Sequence, residues 1–369
     1  MRPLPIGLDI GTTTVRMLQL GGGPRDLRAV DAAKFVLPAE VKNDPAKRRA
    51  FLVDSLRRQL KECRFRGREA VMALSGGELA TRNIRMPRMA DEELAAAVNW
   101  EAQNKFPFDT ATAVIQHVKA GEVVQGDQAL DEIILFAAPR AEVEAKIQLA
   151  AEAGLELVSL DAEPASVFRG FERYLRRRED EGTVSVFVDI GAETTLVISR
   201  GRDLVFVKTI PIGGAVFNRA VAECLELSTS EAEALRRQMA RRQDVSDAPD
   251  AAEADADRAG RAVADAIRPH LEDLANEIGL CLRYQGVTFR GPRPEAATFT
   301  GGEAHDSRLV AMLGERLALP PCVGDPFRGI RTEHLGPVLD RRGVRAEWAT
   351  AVGLALKGIA LAEAAGFAA

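Results

Sequence analysis

The sequence predicts an α/β protein made of two duplicated domains with mixed sheets. Short β-branched runs alternate with helical stretches along the whole chain, which is typical of this class. A segment near the N-terminus also recurs in the middle of the chain. With 369 residues, 46% of them hydrophobic, the chain is long enough for about two to three domain-sized units.

The individual elements are predicted from hydrophobic periodicity and from end signals. The predicted strands are Leu4 to Ile10, Val15 to Leu20, Ala70 to Leu74, Glu132 to Ala137, Val184 to Asp189, Thr194 to Ser199, Leu204 to Pro211 and Ala297 to Thr300. The predicted helices are Asp44 to Glu62, Asp91 to Lys105, Arg140 to Ala153, Glu163 to Leu175, Gly214 to Leu225, Ser230 to Arg242, Asp257 to Gln285, Ser307 to Leu317 and Ala346 to Ala364.

Residues 244–260, DVSDAPDAAEADADRAG, differ in composition from their surroundings. They are rich in Ala and Asp, and no large apolar residue follows Val245. We interpret them as a solvated loop that leads into a helix. A charge-patterned segment for a partner is the alternative.

Charge and cysteine usage exclude several classes of protein. The 49 basic and 54 acidic residues give a net charge of −5 without a basic stripe, so nucleic acid is not an expected partner. Four cysteines without CxxC pairs argue against a zinc site or a disulfide framework, and favour the cytoplasm. The N-terminus lacks the apolar centre of a secretion signal, and no stretch approaches the ~18 apolar residues of a membrane span.

The repeated segments are LDIGTTTVRML at residues 8–18 and VDIGAETTLVI at residues 188–198. Both place an aspartate at the end of an apolar strand, then a glycine, then threonines that enter a second β-branched run. The two aspartates are 189 − 9 = 180 residues apart, which is too long for a solenoid repeat. The spacing predicts two domains that each begin with a β-hairpin.

The first hairpin has the composition of a phosphate-binding loop. Gly11 has no Cβ and permits positive φ, so backbone N–H groups can approach an anion closely. The hydroxyls of Thr12, Thr13 and Thr14 can donate further hydrogen bonds. Asp9 and Asp189, one from each domain, would hold a hydrated Mg²⁺, which prefers carboxylate and phosphate oxygens. A single turn of this kind is usually structural, so the duplication carries the prediction.

Three further segments fit a nucleotide cleft, and each has a structural alternative. Glu163 in DAEPAS, residues 161–166, either faces the cleft or stabilises a helix dipole. Gly213 and Gly214 in PIGGAVFN open a helix whose N–H groups either meet phosphate or form a plain turn. In TFTGGEAHDS, Gly301 and Gly302 either let an adenosine lie on the backbone or form a tight loop. The small residues Ala351, Gly353 and Ala355 indicate close helix packing.

In this order and spacing, the segments resemble the superfamily of actin, sugar kinases and DnaK-type chaperones. The resemblance implies an actin-like ATPase fold, with two duplicated domains around a nucleotide cleft. Within the superfamily the chain is most similar to the PilM family of type IV pilus assembly, with FtsA next. This similarity rests on GLDIGTTTVRMLQL, on MADEELAAAVNWEAQNKFPFD at residues 89–109 and on EWATAVGLALKG.

The resemblance also implies a division of the chain, with a small inserted α+β subdomain of the PilM and FtsA type. The expected units are residues 1–82, first part of the first domain; 83–160, the inserted subdomain; 161–182, a connecting helix; 183–345, the second domain, with 214–292 as its outer subdomain; and 346–369, a C-terminal helix that returns to the first domain.

Residue by residue, the resemblance implies the following roles. Asp9 and Asp189 hold Mg²⁺ through water, and Glu163 orders the water shell and the attacking water. Residues that wrap the phosphates are Gly11, Thr12, Thr13, Thr14, Arg16, Gly191, Thr194, Thr195, Gly213 and Gly214. Residues of the adenosine side are Gly301, Gly302, Glu303, Glu233 and Arg236. Arg16 and Arg236 stand where the superfamily usually has lysine, and a planar guanidinium differs from an ammonium in geometry. We expect ATP binding with slow hydrolysis at most.

By the same resemblance, the protein is a cytoplasmic adaptor of a type IV pilus or related secretion machine. It binds the short cytoplasmic N-terminal peptide of a PilN-like membrane protein, in a groove between the inserted subdomain and the first domain, and so lies at the inner membrane. We expect Trp100, Phe106 and Phe108 of that subdomain to be core residues. One alternative is an FtsA-like or MreB-like protein that self-associates into filaments. Another is a small-molecule kinase, which the inserted subdomain disfavours.

Overall fold

The computed structural model describes residues 4–23, 26–42, 44–103, 105–125, 128–243, 252–289, 292–333, 335, 338–339 and 344–364. Within these residues the chain forms two five-stranded sheets and one three-stranded sheet. The strands are β1 (Ile6–Ile10), β2 (Thr14–Gly21), β3 (Arg28–Val36), β4 (Glu69–Leu74), β5 (Ala80–Pro87), β6 (Ala113–Gln125), β7 (Gln128–Pro139), β8 (Glu156–Ala162), β9 (Val184–Ile190), β10 (Thr194–Arg200), β11 (Asp203–Ile210), β12 (Ala297–Thr300) and β13 (Pro321–Val323).

The two five-stranded sheets have the same topology. The first has the order β3-β2-β1-β4-β8 and the second the order β11-β10-β9-β12-β13. In each, three antiparallel strands are followed by two that run parallel to the first strand of the unit. Asp9 on β1 lies opposite Arg16, and Asp189 on β9 lies opposite Thr195, so the aspartates occupy equivalent places. The predicted duplication with mixed sheets is confirmed.

The helices of the described residues cover both large sheets. They are α1 (Ala39–Lys42), α2 (Pro45–Glu62), α3 (Asp91–Ala102), α4 (Arg140–Ala153), α5 (Glu163–Glu172), α6 (Gly214–Leu225), α7 (Thr229–Gln243), α8 (Ala252–Phe289), α9 (Ser307–Leu317) and α10 (Ala349–Ala364). The predicted bounds of α4, α6 and α9 are confirmed. Asp44 caps α2, as its side chain accepts hydrogen bonds from the N–H groups of Ala46 and Lys47.

Several predicted helix boundaries are wrong, among them the ends of α3 and α5, which are Ala102 and Glu172 and not Lys105 and Leu175. Helix α8 begins at Ala252 and not at Asp257, so residues 252–256 are helical and not a loop, because the alanine-rich sequence favours helix. The rest of the predicted loop, residues 244–251, lies outside the described residues. The last helix begins at Ala349 and not at Ala346, since a 3-10 helix, Val344–Trp348, precedes it.

Strands β3, β5, β6, β8 and β13 were not among the predicted strands. β5 shows the reason, because Arg82 and Arg85 interrupt its apolar residues and both are exposed. Only Ile84 and Met86 carry its buried apolar pattern. Such strands are specified by the neighbours on which they pack rather than by local propensity.

The three-stranded sheet, of order β5-β7-β6, lies between α3 and the second large sheet. On one face, Ile133 and Leu135 share a cluster with Leu94 and Val98 of α3. On the other face, Ile134 and Phe136 share a cluster with Phe187 and Val207. The Nδ2 atom of Asn83 also donates to the carbonyl of Val207 at 2.8 Å. This sheet therefore has a core on both faces.

The aromatic residues of this region differ from expectation in one case. Phe106 is buried and stacks on the partly buried Phe108, with ring centroids 5.6 Å apart. Trp100 is 72% exposed, so its assignment to the core is wrong. The residue lies on the face of α3 that is turned away from Leu94 and Val98, which pack on the sheet.

The C-terminal helix α10 packs closely on α5 and β1. A Cβ added to Gly353 would lie 1.7 Å from the carbonyl oxygen of Ser166 in α5, and one added to Gly7 would lie 2.5 Å from that of Ala351. The expected packing role of the small residues in this helix is thereby confirmed. Within the described part of the chain, no helix is long and apolar enough to cross a membrane.

Candidate functional site

The turn between β1 and β2 forms the first candidate phosphate loop. The N–H of Gly11 donates to the carbonyl of Thr14 at 3.0 Å, and the carbonyl of Thr13 accepts from the N–H of Leu37 at 2.9 Å. Thr12 is exposed, whereas Thr14 is buried. Gly11 does not have the positive φ that the sequence suggested. It is required by space instead, since a Cβ would lie 2.9 Å from the Thr14 carbonyl oxygen.

The turn between β9 and β10 forms the equivalent second loop. The N–H of Gly191 donates to the carbonyl of Glu193 at 2.9 Å, and the hydroxyl of Thr194 donates to the carbonyl of Ile212 at 2.6 Å. Thr195 is buried on β10 opposite Asp189. Gly191, like Gly11, does not have a positive φ. Both loops therefore begin with a glycine after the central strand, but the first is one residue longer, since Ile10 pairs with Val15 and Ile190 with Thr194.

Gly213 and Gly214 pack against the second loop. The N–H of Gly214 donates to the carbonyl of Gly191 at 2.8 Å, and that of Ala215 to the carbonyl of Ala192 at 3.1 Å. A Cβ on Gly213 would lie 2.8 Å from the Ala192 carbonyl oxygen. The first N–H groups of α6 are thus already bonded within the protein, and phosphate contact by these glycines stays a prediction.

The loop after β12 is the candidate adenosine loop. Gly301 has φ of +90°, and a Cβ there would lie 2.5 Å from the carbonyl oxygen of Ile190, so glycine is required. The space in front of Gly302 is open, because a Cβ there would meet no atom within 4 Å. The N–H of Glu303 donates to the Ile190 carbonyl at 3.0 Å, which ties this loop to the end of β9.

Arg236 on α7 lies against the adenosine loop. Its guanidinium is buried, donates to Oδ1 of Asn218 at 2.6 Å and pairs with Glu303. It also lies over the ring of Phe217, 5.2 Å from the centroid. The structure therefore brings Arg236 and Glu303 together, as the sequence predicted for the adenosine side.

Glu233, one turn earlier on α7, reaches the other half of the molecule. Its carboxylate pairs with Lys42 of α1 at 2.9 Å and with Arg237 at 2.7 Å. These contacts connect the outer part of the second half to the first half across the cleft. Arg236, in contrast, bonds to Asn218 and Glu303 on its own side of the cleft.

Asp9, Asp189 and Glu163 supply the carboxylates of the cleft. Burial is the main cause that raises the pKa of Asp189 to about 6, where a hydrogen bond from the Thr300 hydroxyl opposes the increase and the charge of Asp9 adds to it. Burial and the charges of Asp189 and Asp9 raise the pKa of Glu163 well above its ordinary value. Burial also raises the pKa of Asp9, against the opposing charge of Arg16. The three carboxyl groups therefore lie close enough for each to disfavour the negative charge of the others.

Arg16 is buried between two carboxylates. Its Nη1 lies 3.2 Å from Oδ2 of Asp9, and its Nη2 lies 2.7 Å from Oε2 of Glu347, which also pairs with Lys34. Burial raises the pKa of Glu347, but the charges of Arg16 and Lys34 outweigh it and hold the value below the ordinary range. The guanidinium of Arg16 is thus engaged within the protein.

Several residues of the site were missed by sequence reasoning. Lys146 of α4 is buried, pairs with Glu78 at 2.9 Å and lowers the pKa of Asp9 by its charge. Glu347 and Glu193 also act on the charges of the cleft. Lys146 lies outside the recognisable motifs, whereas Glu193 and Glu347 lie within quoted motifs that gave no sign of their contacts.

The donor set suits a hydrated cation. In the residues that the structure describes, no group of three or more His, Cys, Asp or Glu side chains is placed to enclose a metal ion. Mg²⁺ usually keeps several waters and takes only one or two carboxylates from the protein. Such a cation would reduce the electrostatic repulsion between the carboxylates of Asp9 and Asp189, whose pKa values are raised.

Without divalent cations, we expect the protein to lose stability as the pH rises between 3.8 and about 6. In this window the folded state retains the Asp189 proton that the unfolded chain releases, so the free energy of unfolding falls with increasing pH. Urea titrations across the window measure this slope. Asp189→Asn keeps an acceptor for Thr300 and should flatten the slope, whereas an identical slope in both proteins would contradict the assignment.

The duplicated sheets, with an aspartate and a glycine-threonine loop at the same place in each, define an actin-like ATPase fold. The match between the chain and known proteins extends over almost its whole length. The chain belongs to the PilM family of type IV pilus assembly proteins, whose family model matches residues 7–359.

Solved structures share this fold. A PilM-PilN type IV pilus biogenesis complex is 26% identical, with a TM-score of 0.78 over 97% of this chain and 99% of that one. The ethanolamine utilization protein EutJ from Carboxydothermus hydrogenoformans is 14% identical, with a TM-score of 0.54 over 96% and 90%. MreB 5 of Spiroplasma citri bound to AMPPNP is 14% identical, with a TM-score of 0.50 over 99% of both chains. No curated protein has a significantly matching sequence.

Proposed function

We propose that this protein is a cytoplasmic ATP-binding adaptor that binds the cytoplasmic N-terminal peptide of a PilN-like inner-membrane protein. One observation carries the proposal, namely the similarity to a PilM-PilN complex over nearly the full length of both chains. The partner would hold the protein at the inner membrane. In this proposal residues 83–160 form the inserted subdomain, and the peptide occupies a groove between it and the first domain.

ATP is the proposed cofactor, bound with Mg²⁺ in the cleft. The fold is shared with MreB 5, whose structure contains AMPPNP. Asp9 and Asp189 would hold the hydrated ion, and the two hairpin loops would surround the phosphates. Gly302 offers open space beside Arg236 and Glu303, which is where the adenosine would lie.

Slow hydrolysis follows from the character of the cleft. Phosphoryl transfer in this type of site depends on positioning and on charge stabilisation, without a covalent step. Glu163 is the proposed residue for ordering the metal's water shell. Burial and the neighbouring carboxylates raise its pKa well above the ordinary value in the protein alone, and a cation that offsets those charges would lower it.

We expect the purified protein to bind both Mg-ATP and a synthetic peptide copied from the cytoplasmic N-terminus of a PilN-like protein encoded with it. Calorimetric titration of each ligand, alone and in the presence of the other, measures the two affinities and their coupling. A peptide of the same composition in scrambled order is the control for nonspecific binding.

The outcomes separate the two parts of the proposal. Peptide binding without ATP binding would leave the actin-like fold as a scaffold and overturn the nucleotide part. ATP binding without peptide binding would overturn the adaptor part. In that case sedimentation velocity with Mg-ATP would test the predicted self-association.

A further inference from the structure

The family resemblance places Arg16 in the role of a phosphate contact, but the structure gives its guanidinium another task. Arg16 is buried, and its two terminal nitrogens face Asp9 and Glu347 at 3.2 and 2.7 Å. Releasing it toward a phosphate would leave the carboxylate of Glu347 with Lys34 as its remaining ion-pair partner among the described residues. Breaking a buried ion pair is costly, so the positive charge for a polyphosphate must come from elsewhere.

Arg48 is the first alternative source of positive charge for a polyphosphate. It lies on α2, and its Nη2 donates to the carbonyl of Gly11 in the first loop at 2.9 Å. The side chain is partly buried, and within the described part of the chain it has no carboxylate partner. A single bond to a neutral carbonyl leaves most of the donors of this guanidinium available at the edge of the loop.

Arg237 is the second alternative, and it comes from the opposite side of the cleft. Its Nη2 lies 3.4 Å from the Thr13 hydroxyl and 2.7 Å from the carboxylate of Glu233. Glu233 in turn pairs with Lys42 of α1. The side chain of Arg237 is 40% exposed, so it has room to turn from Glu233 toward a ligand above the loop.

Together these side chains divide the cleft into two regions of opposite charge. Lys42, Arg48 and Arg237 carry three positive charges and Glu233 carries one negative charge, so these four side chains have a net charge of 3 − 1 = +2. The carboxylates of Asp9 and Asp189 lie at the ends of the strands beneath the loops. A cation is favoured at the strand ends and an anion above the first loop, which matches a metal-bound polyphosphate.

We propose that Arg48 and Arg237 bind the phosphates of a nucleoside polyphosphate from the two sides of the cleft, in the place of Arg16. This assignment rests on the proposed nucleotide function and adds the residues that recognise the charge of the ligand. Arg48 belongs to the first half and Arg237 to the second, so the phosphate chain bridges the halves. The site therefore selects nucleotides with two or three phosphates over adenosine.

The test compares affinities for Mg-ATP and for adenosine by calorimetry in four proteins, namely the wild type, Arg48→Gln, Arg237→Gln and Arg49→Gln. Arg49 is the matched control, because it is the neighbour of Arg48 on α2 and pairs with Glu152 instead of the loop. We expect Arg48→Gln and Arg237→Gln each to weaken ATP binding at least about tenfold, since charge-assisted hydrogen bonds are lost. Arg49→Gln should bind ATP as the wild type does, and adenosine affinity should be equal in all four.

Arg48→Lys adds a readout that a purely structural role would not give. It retains the charge without the fork of donors, so it should recover part of the ATP affinity that Arg48→Gln loses. Melting temperatures of the variants close to that of the wild type would show that the fold is intact. If Arg48→Gln lowered the melting temperature together with the ATP affinity, and Arg48→Lys recovered no ATP affinity, the binding role of Arg48 would be overturned.

The remaining results distinguish this inference from the proposed function. If the wild type binds no ATP, both fall. If the wild type binds ATP and the two variants bind it equally well, the assignment of Arg48 and Arg237 falls and the proposed function stands. If adenosine binding is lost together with ATP binding, the arginines act on the base or on the shape of the cleft, which also overturns the assignment.

Discussion

Replacing Asp9 with alanine is expected to abolish Mg²⁺-dependent ATP binding. Its carboxylate is one of the two that would position the hydrated ion, and it lies on the strand next to the first loop. The same change removes one partner of Arg16, which retains its bond to Glu347 at 2.7 Å, so the protein should still fold. Calorimetric titration with Mg-ATP, and with ATP in EDTA, measures the loss.

Asp54→Ala is the control for this variant, because Asp54 is an exposed acid on α2. It should bind Mg-ATP as tightly as the wild type. Circular dichroism of Asp9→Ala establishes whether the fold survives. A folded Asp9→Ala protein with unchanged ATP affinity would remove Asp9 from the metal site and with it the proposed equivalence of the two aspartates.

Gly353→Ala is expected to destabilise the protein by at least about 3 kcal/mol or to prevent folding, since overpacking of a rigid contact is costly. The new Cβ would lie 1.7 Å from the carbonyl oxygen of Ser166 in α5, which is a backbone atom and cannot move without the helix. Helices α5 and α10 must then separate, and α10 also packs on β1. Urea unfolding, or the soluble yield where the variant does not fold, measures the effect.

Gly286→Ala in α8 is the matched control, because this helical glycine has no atom within 4 Å of an added Cβ. It should be neutral or should stabilise the protein by ~0.4 to 1 kcal/mol, as alanine restricts the unfolded chain. If Gly353→Ala were as stable as Gly286→Ala, the close approach of α5 and α10 would not be a requirement of the fold.

The fold was predictable from the sequence where a pattern is local or repeated. The recurring aspartate, glycine and threonine residues around Asp9 and Asp189 predicted two hairpins, and both were found, with pairing registers that differ by one residue. Buried apolar strands were predicted for the same reason. Strand β5, with Arg82 and Arg85, was missed because its stability comes from Ile84 and Met86 packing on distant residues.

The glycine loops of the candidate site could be predicted from the sequence, whereas its ion pairs could not. The glycines of both loops and of the adenosine loop were found from spacing. The partner of Arg16 is Glu347, 331 positions further along the chain, and no short-range pattern relates the two residues. The bond from Arg48 to Gly11 likewise depends on how α2 packs against the first sheet. Charge pairing across the cleft is a property of the tertiary structure.

The short 3-10 segment before α10 is bonded to both halves through two consecutive residues. The carbonyl of Ala346 accepts from the N–H of Gly301 at 3.2 Å, while the side chain of Glu347 holds Arg16. Elsewhere in the cleft, the halves are joined by the ion pair of Lys42 and Glu233 at 2.9 Å. Residues 346 and 347 therefore connect the loop after β12 to strand β2, so a substitution in this short segment would reach both sides of the candidate nucleotide site at once.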